Sequence, residues 1–240
     1  YVPGFFEVDI KKGESVVFSA GISDVSTNKL KQIFQHEVND RTPRDSFYHC
    51  LKNSAHQFHN KQGDCHYILA GYPWFKCRAR DLFVSLPGLT LAIDEPEEFE
   101  DVMETAQKTL RCYMNNIPVD CKIYELDDPD VLLWAVWALQ QYAKETTREK
   151  CRIKYGDLLL EIIDFIRKGK HNNLFLHENG LLYTHGANKP VTWMNSTIDG
   201  HPVIPRTGYV VEVNALWYNA LRFVADMLRE DENPSLADTL

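Results

Sequence analysis

Residues 128–143 read DPDVLLWAVWALQQYA, and this stretch decides the fold class. Leu133, Trp134, Trp137 and Tyr142 recur at helical spacing, and Asp128-Pro129 stands where a helix would begin. Proline at the first helical position gives up nothing, because the N–H it lacks has no partner in the first turn anyway. The same signal occurs twice more. Glu95-Pro96 leads into Phe99, Val102, Met103, Ala106 and Leu110, while Thr42-Pro43, with Asp45 third in line, has the form of a capping box. Leu30, Ile33, Phe34 and Val38 share one helical face, as do Phe47, Leu51, Ala55 and Phe58. Two more helices are expected around 158–166 and 213–228. The pattern predicts a mainly α protein of roughly seven amphipathic helices.

Two β signals interrupt it. FFEVDIKKGESVVFSAG, residues 5–21, alternates apolar and polar around a Lys12-Gly13-Glu14 turn and predicts a hairpin. NLFLHENGLLYTHG, residues 173–186, carries Asn179-Gly180 between apolar runs and predicts a second hairpin near 172–184, with a two-residue turn. After it comes a long stretch rich in Gly and Pro and dense in Trp, Asp, Arg and Glu. A segment of that length without regular structure is either functional or disordered, and its apolar content argues for order.

A chain of 240 residues with 44% hydrophobic and 25% charged residues has enough apolar material for a substantial core. Its net charge of −8 disfavours a nucleic-acid partner, which selects for a basic surface. No run of about 18 apolar residues suggests a membrane span. The six cysteines contain no Cys-x-x-Cys pair, so they read as reduced, buried thiols, and a cytoplasmic location is expected. Neither end looks like a natural start or stop, so the sequence reads as the interior of a longer protein.

Three constellations could carry chemistry. In GYPWFKCRARDLFVSLPG, residues 71–88, Asp81 stands among Arg78, Arg80 and Trp74 at a helix start. Capping a helix would by itself explain one aspartate there. Arginines favour a charged carboxyl and aromatic walls favour a neutral one, and a general acid needs a balance of the two. The second constellation is TWMNSTIDGHPVIPRTGYVVEVNALWYNAL, residues 192–221. It gathers Trp193, Asn195, Asp199, Arg206, Glu212, Asn214 and Trp217. Flat rings stack on pyranose faces while amides and carboxylates bind hydroxyls, so this density suggests a sugar site. Taken singly, Glu212 and Asn214 could merely cap a helix and Trp217 could be core. The third is HQFHNKQGDCH, where His56, His59, Cys65 and His66 invite a zinc reading. Gln57 and Asn60 point instead to a plain polar face, and no metal or other cofactor is expected. Phosphate-binding glycine loops, nucleophile elbows and His-Glu-x-x-His motifs do not occur.

At these residues the sequence resembles a family. AGYPWF (70–75) and RARDLFVSLPGLTL (78–91) are similar to the start of the amylo-α-1,6-glucosidase domain of bacterial and archaeal glycogen debranching enzymes. LLWAVWALQQY (132–142) resembles that family's Asp-x-x-Leu-Trp helix, with Asp130 in the aspartate position. Residues 180–221 resemble its Thr-Trp-Met-Asp, Thr-Pro-Arg-x-Gly and Val-Glu-Ile-Asn-Ala-Leu-Trp-Tyr-Asn-Ala-Leu signature. The opening segment is similar to the last strands of its N-terminal β domain, so the resemblance spans nearly the whole chain.

The resemblance implies an (α/α)6 toroid, incomplete within 240 residues. Residues 1–24 would end a β domain, and 25–240 would form the N-terminal and central part of the glucosidase domain. It implies inverting hydrolysis of α-1,6-linked glucose in glycogen or a branched α-glucan, with Asp81 as general acid. Trp74, Arg80, Asp130, Trp193, Asn195, Asp199, Arg206, Glu212 and Trp217 would contact sugar. Inversion needs a second carboxyl group ~6.5–9.5 Å from the first, and the family's base is expected beyond residue 240. An incomplete ring would expose helix faces open to self-association. Three positions depart from the family pattern: Ala79 for glycine, Leu82 for threonine and Asn195 for aspartate. An amide at 195 can bind a hydroxyl but cannot serve as a base. The alternatives are a glycan-binding module without catalysis, a purely structural helical scaffold, and a toroidal α-glucosidase or glucoamylase-like enzyme of other specificity.

Overall fold

The computed structural model describes residues 4–21, 24–72, 74–118, 120, 122–186 and 188–230. The chain divides into two compact units between Asn53 and Ser54. Among the described residues there are seven α-helices and four two-stranded ladders, so the fold is mainly α.

In the first unit, residues 4–21 form a turn and no strand. The Glu14 N–H donates to the Lys11 carbonyl at 3.0 Å, and Phe6 and Phe18 meet with ring centroids 6.1 Å apart. The turn and the facing aromatic pair of the expected hairpin are thus present, but the ladder is not. An isolated two-stranded hairpin has too little pairing to hold itself. Helix α1 covers Leu30–Asp40 and α2 covers Phe47–His56. The expected start of α2 at Thr42-Pro43 is four residues early. Ser46 is the cap, accepting the His49 N–H on its hydroxyl at 3.1 Å.

The second unit is organised around α5 (Val131–Glu145), which buries most of its circumference, including Leu132, Leu133, Val136, Leu139 and Tyr142. A helix apolar over so much of its surface must be covered by others. It is covered by α3 (Ala79–Leu89), α4 (Pro96–Met114), α6 (Arg148–Arg167) and α7 (Val211–Glu230). Pro96 opens α4 as expected, whereas Pro129 lies outside α5, whose cap is Asp130. Phe99 stacks on Tyr142 at 4.9 Å. Beside them Glu100 takes hydrogen bonds from Tyr142, Lys150 and Lys154, which joins α4, α5 and α6. Thr147 caps α6 by accepting the Lys150 N–H at 3.1 Å.

Strands β1 (His59–Gln62) and β2 (Cys65–Ile68) form an antiparallel hairpin against α4. The short β3 (Cys77–Arg78) pairs in parallel with β4 (Ile123–Tyr124). The second expected hairpin is present as β5 (Leu174–Leu176) and β6 (Leu182–Thr184). Five residues separate the strands, and the His177 N–H closes on the Leu181 carbonyl at 3.0 Å, which leaves a turn of three residues rather than two. The Gly180 N–H bonds to the His177 carbonyl at 2.9 Å, and glycine supplies the φ of 79° the bulged turn requires.

The long segment after β6 is ordered by close backbone contact. A Cβ added at Gly186 would sit 2.1 Å from the Pro205 carbonyl oxygen, and the Thr184 hydroxyl donates to the Arg206 carbonyl at 2.6 Å. Within it β7 (Thr197–Ile198) and β8 (His201–Pro202) make a small hairpin. Among the described residues no helix is long and apolar enough to cross a membrane. Of the described cysteines, Cys77 and Cys151 are buried, Cys65 and Cys112 are partly buried and Cys50 is exposed, against the expectation that all are buried. Cys121 lies outside the described residues.

At the end of α6, His171 is 1% exposed and its Nδ1 accepts the Asn173 N–H at 3.1 Å. Burial pushes the imidazole down to about 4, against the opposing charge of Asp127. The folded state therefore resists a proton that the unfolded chain takes up at about 6.5. Stability is expected to fall as pH drops from about 6.5 to about 4, by up to ~3 kcal/mol from this residue. Urea midpoints for the protein and His171→Gln across that window check it: the variant should lose part of the slope, and an identical slope would contradict it.

Candidate active site

The site begins with α3. Strand β3 delivers the chain to Arg78, and the helix starts at Ala79, which places Asp81 in the first turn. Val84, Ser85 and Leu89 follow Asp81 at i+3, i+4 and i+8 and so share its face of the helix. Together with Phe58, Leu69, Ala70, Arg80, Trp134 and Trp193 they line a hollow of about 520 Å³, so the expected site residue Arg80 borders it as well. Asp81 and Trp193, 112 positions apart in sequence, face the same space. The walls are largely apolar and aromatic, with the Asp81 carboxyl group, its side chain 41% exposed, available to a ligand. That combination suits a pyranose, whose CH faces pack on rings while one oxygen meets a carboxyl group.

The two arginines beside Asp81 have different tasks. Arg78 Nε lies 3.8 Å from Asp81 Oδ2, and Arg78 also binds Glu125 through Nε at 2.9 Å and Nη2 at 2.7 Å. It bridges the two carboxylates. Arg80, by contrast, is buried and directed to the start of α5. Its Nε and Nη2 grip Asp130 at 2.8 and 2.9 Å, and Nη2 reaches Asp128 at 2.6 Å. The fork-to-carboxylate geometry is one that arginine alone provides. Two buried carboxylates against one guanidinium leave an excess negative charge, and burial pushes the Asp128 carboxyl above the usual carboxylate range despite Arg80.

The remaining expected sugar contacts divide. Asp130 spends both oxygens on Arg80 and also accepts the Trp134 indole N–H at 3.2 Å, so it supports the wall of the hollow rather than facing it. Trp217 is 3% exposed within the core, so its ring offers no face to a ligand. Its neighbours Val213, Leu216 and Ala220 on α7 are buried too, as the helical spacing demands. Asp199 with Gly200 forms the tip of the β7–β8 hairpin, at φ of 50° and 79°. An Asp-Gly pair at positive φ is what a two-residue turn requires, which accounts for that aspartate. Arg206, also at positive φ (52°), pairs with Glu212 at the start of α7 and donates to Met194 Sδ at 3.1 Å. These two residues tie the Trp193 segment to α7. Asn195 and Trp74 are exposed, Trp74 at 82%.

Sequence reasoning missed the apolar walls. Phe58 and Trp134 looked like core positions, Leu69 drew no notice, and Ala70 stood only inside a family motif; the i+3, i+4 and i+8 relation to Asp81 could have flagged Val84, Ser85 and Leu89. It also missed Asp128, although the run Asp127-Asp128-Pro129-Asp130 is a concentration of charge that burial would forbid without a cation.

Removing that cation is expected to be costly. Arg80→Met should destabilise the protein by ~3–5 kcal/mol, the usual consequence of leaving buried charge uncompensated, and Arg80→Lys should rescue only part because it has no fork. Urea denaturation measures it, and a loss below about 1 kcal/mol for the methionine variant would contradict the assignment.

Comparison with known proteins places this geometry in context. Residues 46–237 match the family model described as amylo-alpha-1,6-glucosidase, and the match includes Asp81, Trp134 and Trp193. No curated protein and no solved structure matches the chain. With the family model covering most of its length, the chain belongs to the amylo-alpha-1,6-glucosidase family.

Proposed function

We propose that the protein is a glycoside hydrolase that releases α-1,6-linked glucose from branched α-glucan such as glycogen, with inversion, within an (α/α)6 toroid. Asp81 is the general acid: its carboxyl proton passes to the glycosidic oxygen as the bond from that oxygen to the anomeric carbon breaks. Water then attacks the anomeric carbon from the opposite face, and a second carboxylate takes its proton. Trp193 and Trp134 stack on the sugar ring, and Arg78 holds Asp81 in position.

The observation that carries this reading is the hollow of about 520 Å³ that Asp81 and Trp193 line together. Its volume falls within the usual range for small-ligand sites. Family membership supports the same substrate class. Asn195 favours a second reading, a glycan-binding module without turnover, because an amide there has no base chemistry to offer.

Glucose release from a branched limit dextrin tests it. Asp81→Asn should lower kcat by ~10²–10⁴-fold with little change in KM, the scale of losing a general acid. Undiminished release would reject Asp81. Calorimetric binding of the glucan by the unmodified protein with no glucose released would establish the binding module instead.

A further inference from the structure

Away from the hollow, the cap and N-terminal half of α4 present Glu95, Glu98 and Asp101 at successive i, i+3 steps, on one side of the helix. Each meets a histidine from the segment running from the end of α2 through β2. His56 Nε2 lies 2.7 Å from Glu95 Oε2, His59 Nδ1 lies 3.6 Å from Glu98 Oε2, and His66 Nδ1 lies 3.6 Å from Asp101 Oδ2. The first is a hydrogen-bond distance and the other two are not. His66, Glu98 and Asp101 also bring one ligand atom each within 4.8 Å of one another.

His59 makes the spacing informative. Its Nε2 is 3.2 Å from the Leu89 carbonyl oxygen, and a carbonyl only accepts, so Nε2 carries the proton. In the neutral ring Nδ1 is then a bare lone pair aimed at a carboxylate 3.6 Å away. A metal ion seated between that lone pair and the carboxylate would satisfy both. The gap is too wide for a shared proton, yet it is close to the edge of a tetrahedron of ligands bound at ~2.0–2.1 Å. A metal-binding imidazole whose other nitrogen donates to a backbone carbonyl is also the usual arrangement.

We propose that His66, Glu98 and Asp101 bind one divalent transition-metal ion of the zinc type, with His59 standing beside the Glu98 carboxylate. Imidazole and carboxylate donors together select such an ion over calcium or magnesium, which take oxygen alone. The scaffold is firm: the His66 N–H donates to the buried Thr105 hydroxyl of α4 at 2.9 Å, so hairpin and helix keep their spacing. The histidines are 16% and 19% exposed and the carboxylates 46% and 53%, so the ion enters directly from solvent. Leu69 and Ala70 follow β2 immediately and line the hollow. The ion fastens that wall to α4.

Calorimetric titration of the chelator-stripped protein with Zn²⁺, and visible absorption with Co²⁺, test the proposal. The expected results are one ion per chain, tetrahedral Co²⁺ bands, and a Tm rise of about 5 °C or more at saturating Zn²⁺. His66→Ala and Asp101→Asn should each weaken binding at least ~10-fold, while His56→Ala, whose imidazole pairs directly with Glu95, should not. Asp101 is largely exposed, so its variant separates lost ligation from lost folding. No saturable uptake of either ion would overturn the proposal, as would uptake unchanged in both ligand variants.

Discussion

One guanidinium held between two buried carboxylates fixes most of what matters here. Arg80 belongs to the first turn of α3, and Asp128 and Asp130 belong to the approach to α5. The triad therefore pins the starts of two helices to each other. Breaking such a group strands charge in a medium that cannot solvate it, so the two helix starts have little freedom to shift. Asp81 is the next residue along α3, and Trp134 hangs its indole N–H on Asp130. The position of the one carboxylate and of one aromatic wall thus both derive from the same ion group. The short parallel ladder of Cys77 with Ile123 and Arg78 with Tyr124 runs beside it and sets the angle at which the chain enters α3.

A second constraint comes from α5. Its apolar surface over most of its circumference obliges α3, α4, α6 and α7 to pack around it, and the polar triad sits only at its first turn. The interior of the helix supplies burial without direction, and the triad supplies direction. The opposite wall arrives from far along the chain. It is held by the close approach at Gly186 and by the Arg206–Glu212 pair at the start of α7.

What the sequence disclosed follows the same division. Helices with a long apolar period were legible, since α4, α5 and α7 each repeat their buried residues over several turns. Boundaries were less so. Thr42 and Ser46 offer equivalent caps, and only the fold selects Ser46; Asp128-Pro129 has the form of a helix start but is drawn out of the helix by Arg80. Residues 5–21 alternate correctly yet form no ladder, because alternation describes a face and not a partner. At the site, Asp81 and Trp193 were legible as chemistry and converge in space. Asp130 and Trp217 were read as ligand contacts, but an aspartate in a buried ion pair and a tryptophan in a core look the same in sequence as residues facing a substrate. The Asp199-Gly200 pair was a turn signal overshadowed by its polar neighbours.

The central claim is that branched glucan is gripped between the first turns of α3 and the Trp193 segment. Hydrogen exchange of the protein with and without a saturating branched maltooligosaccharide tests it most directly. The account predicts slowed exchange in peptides covering both 79–89 and 192–206, together and at the same ligand concentration. Protection confined to one of them, or appearing only elsewhere in the chain, would contradict it.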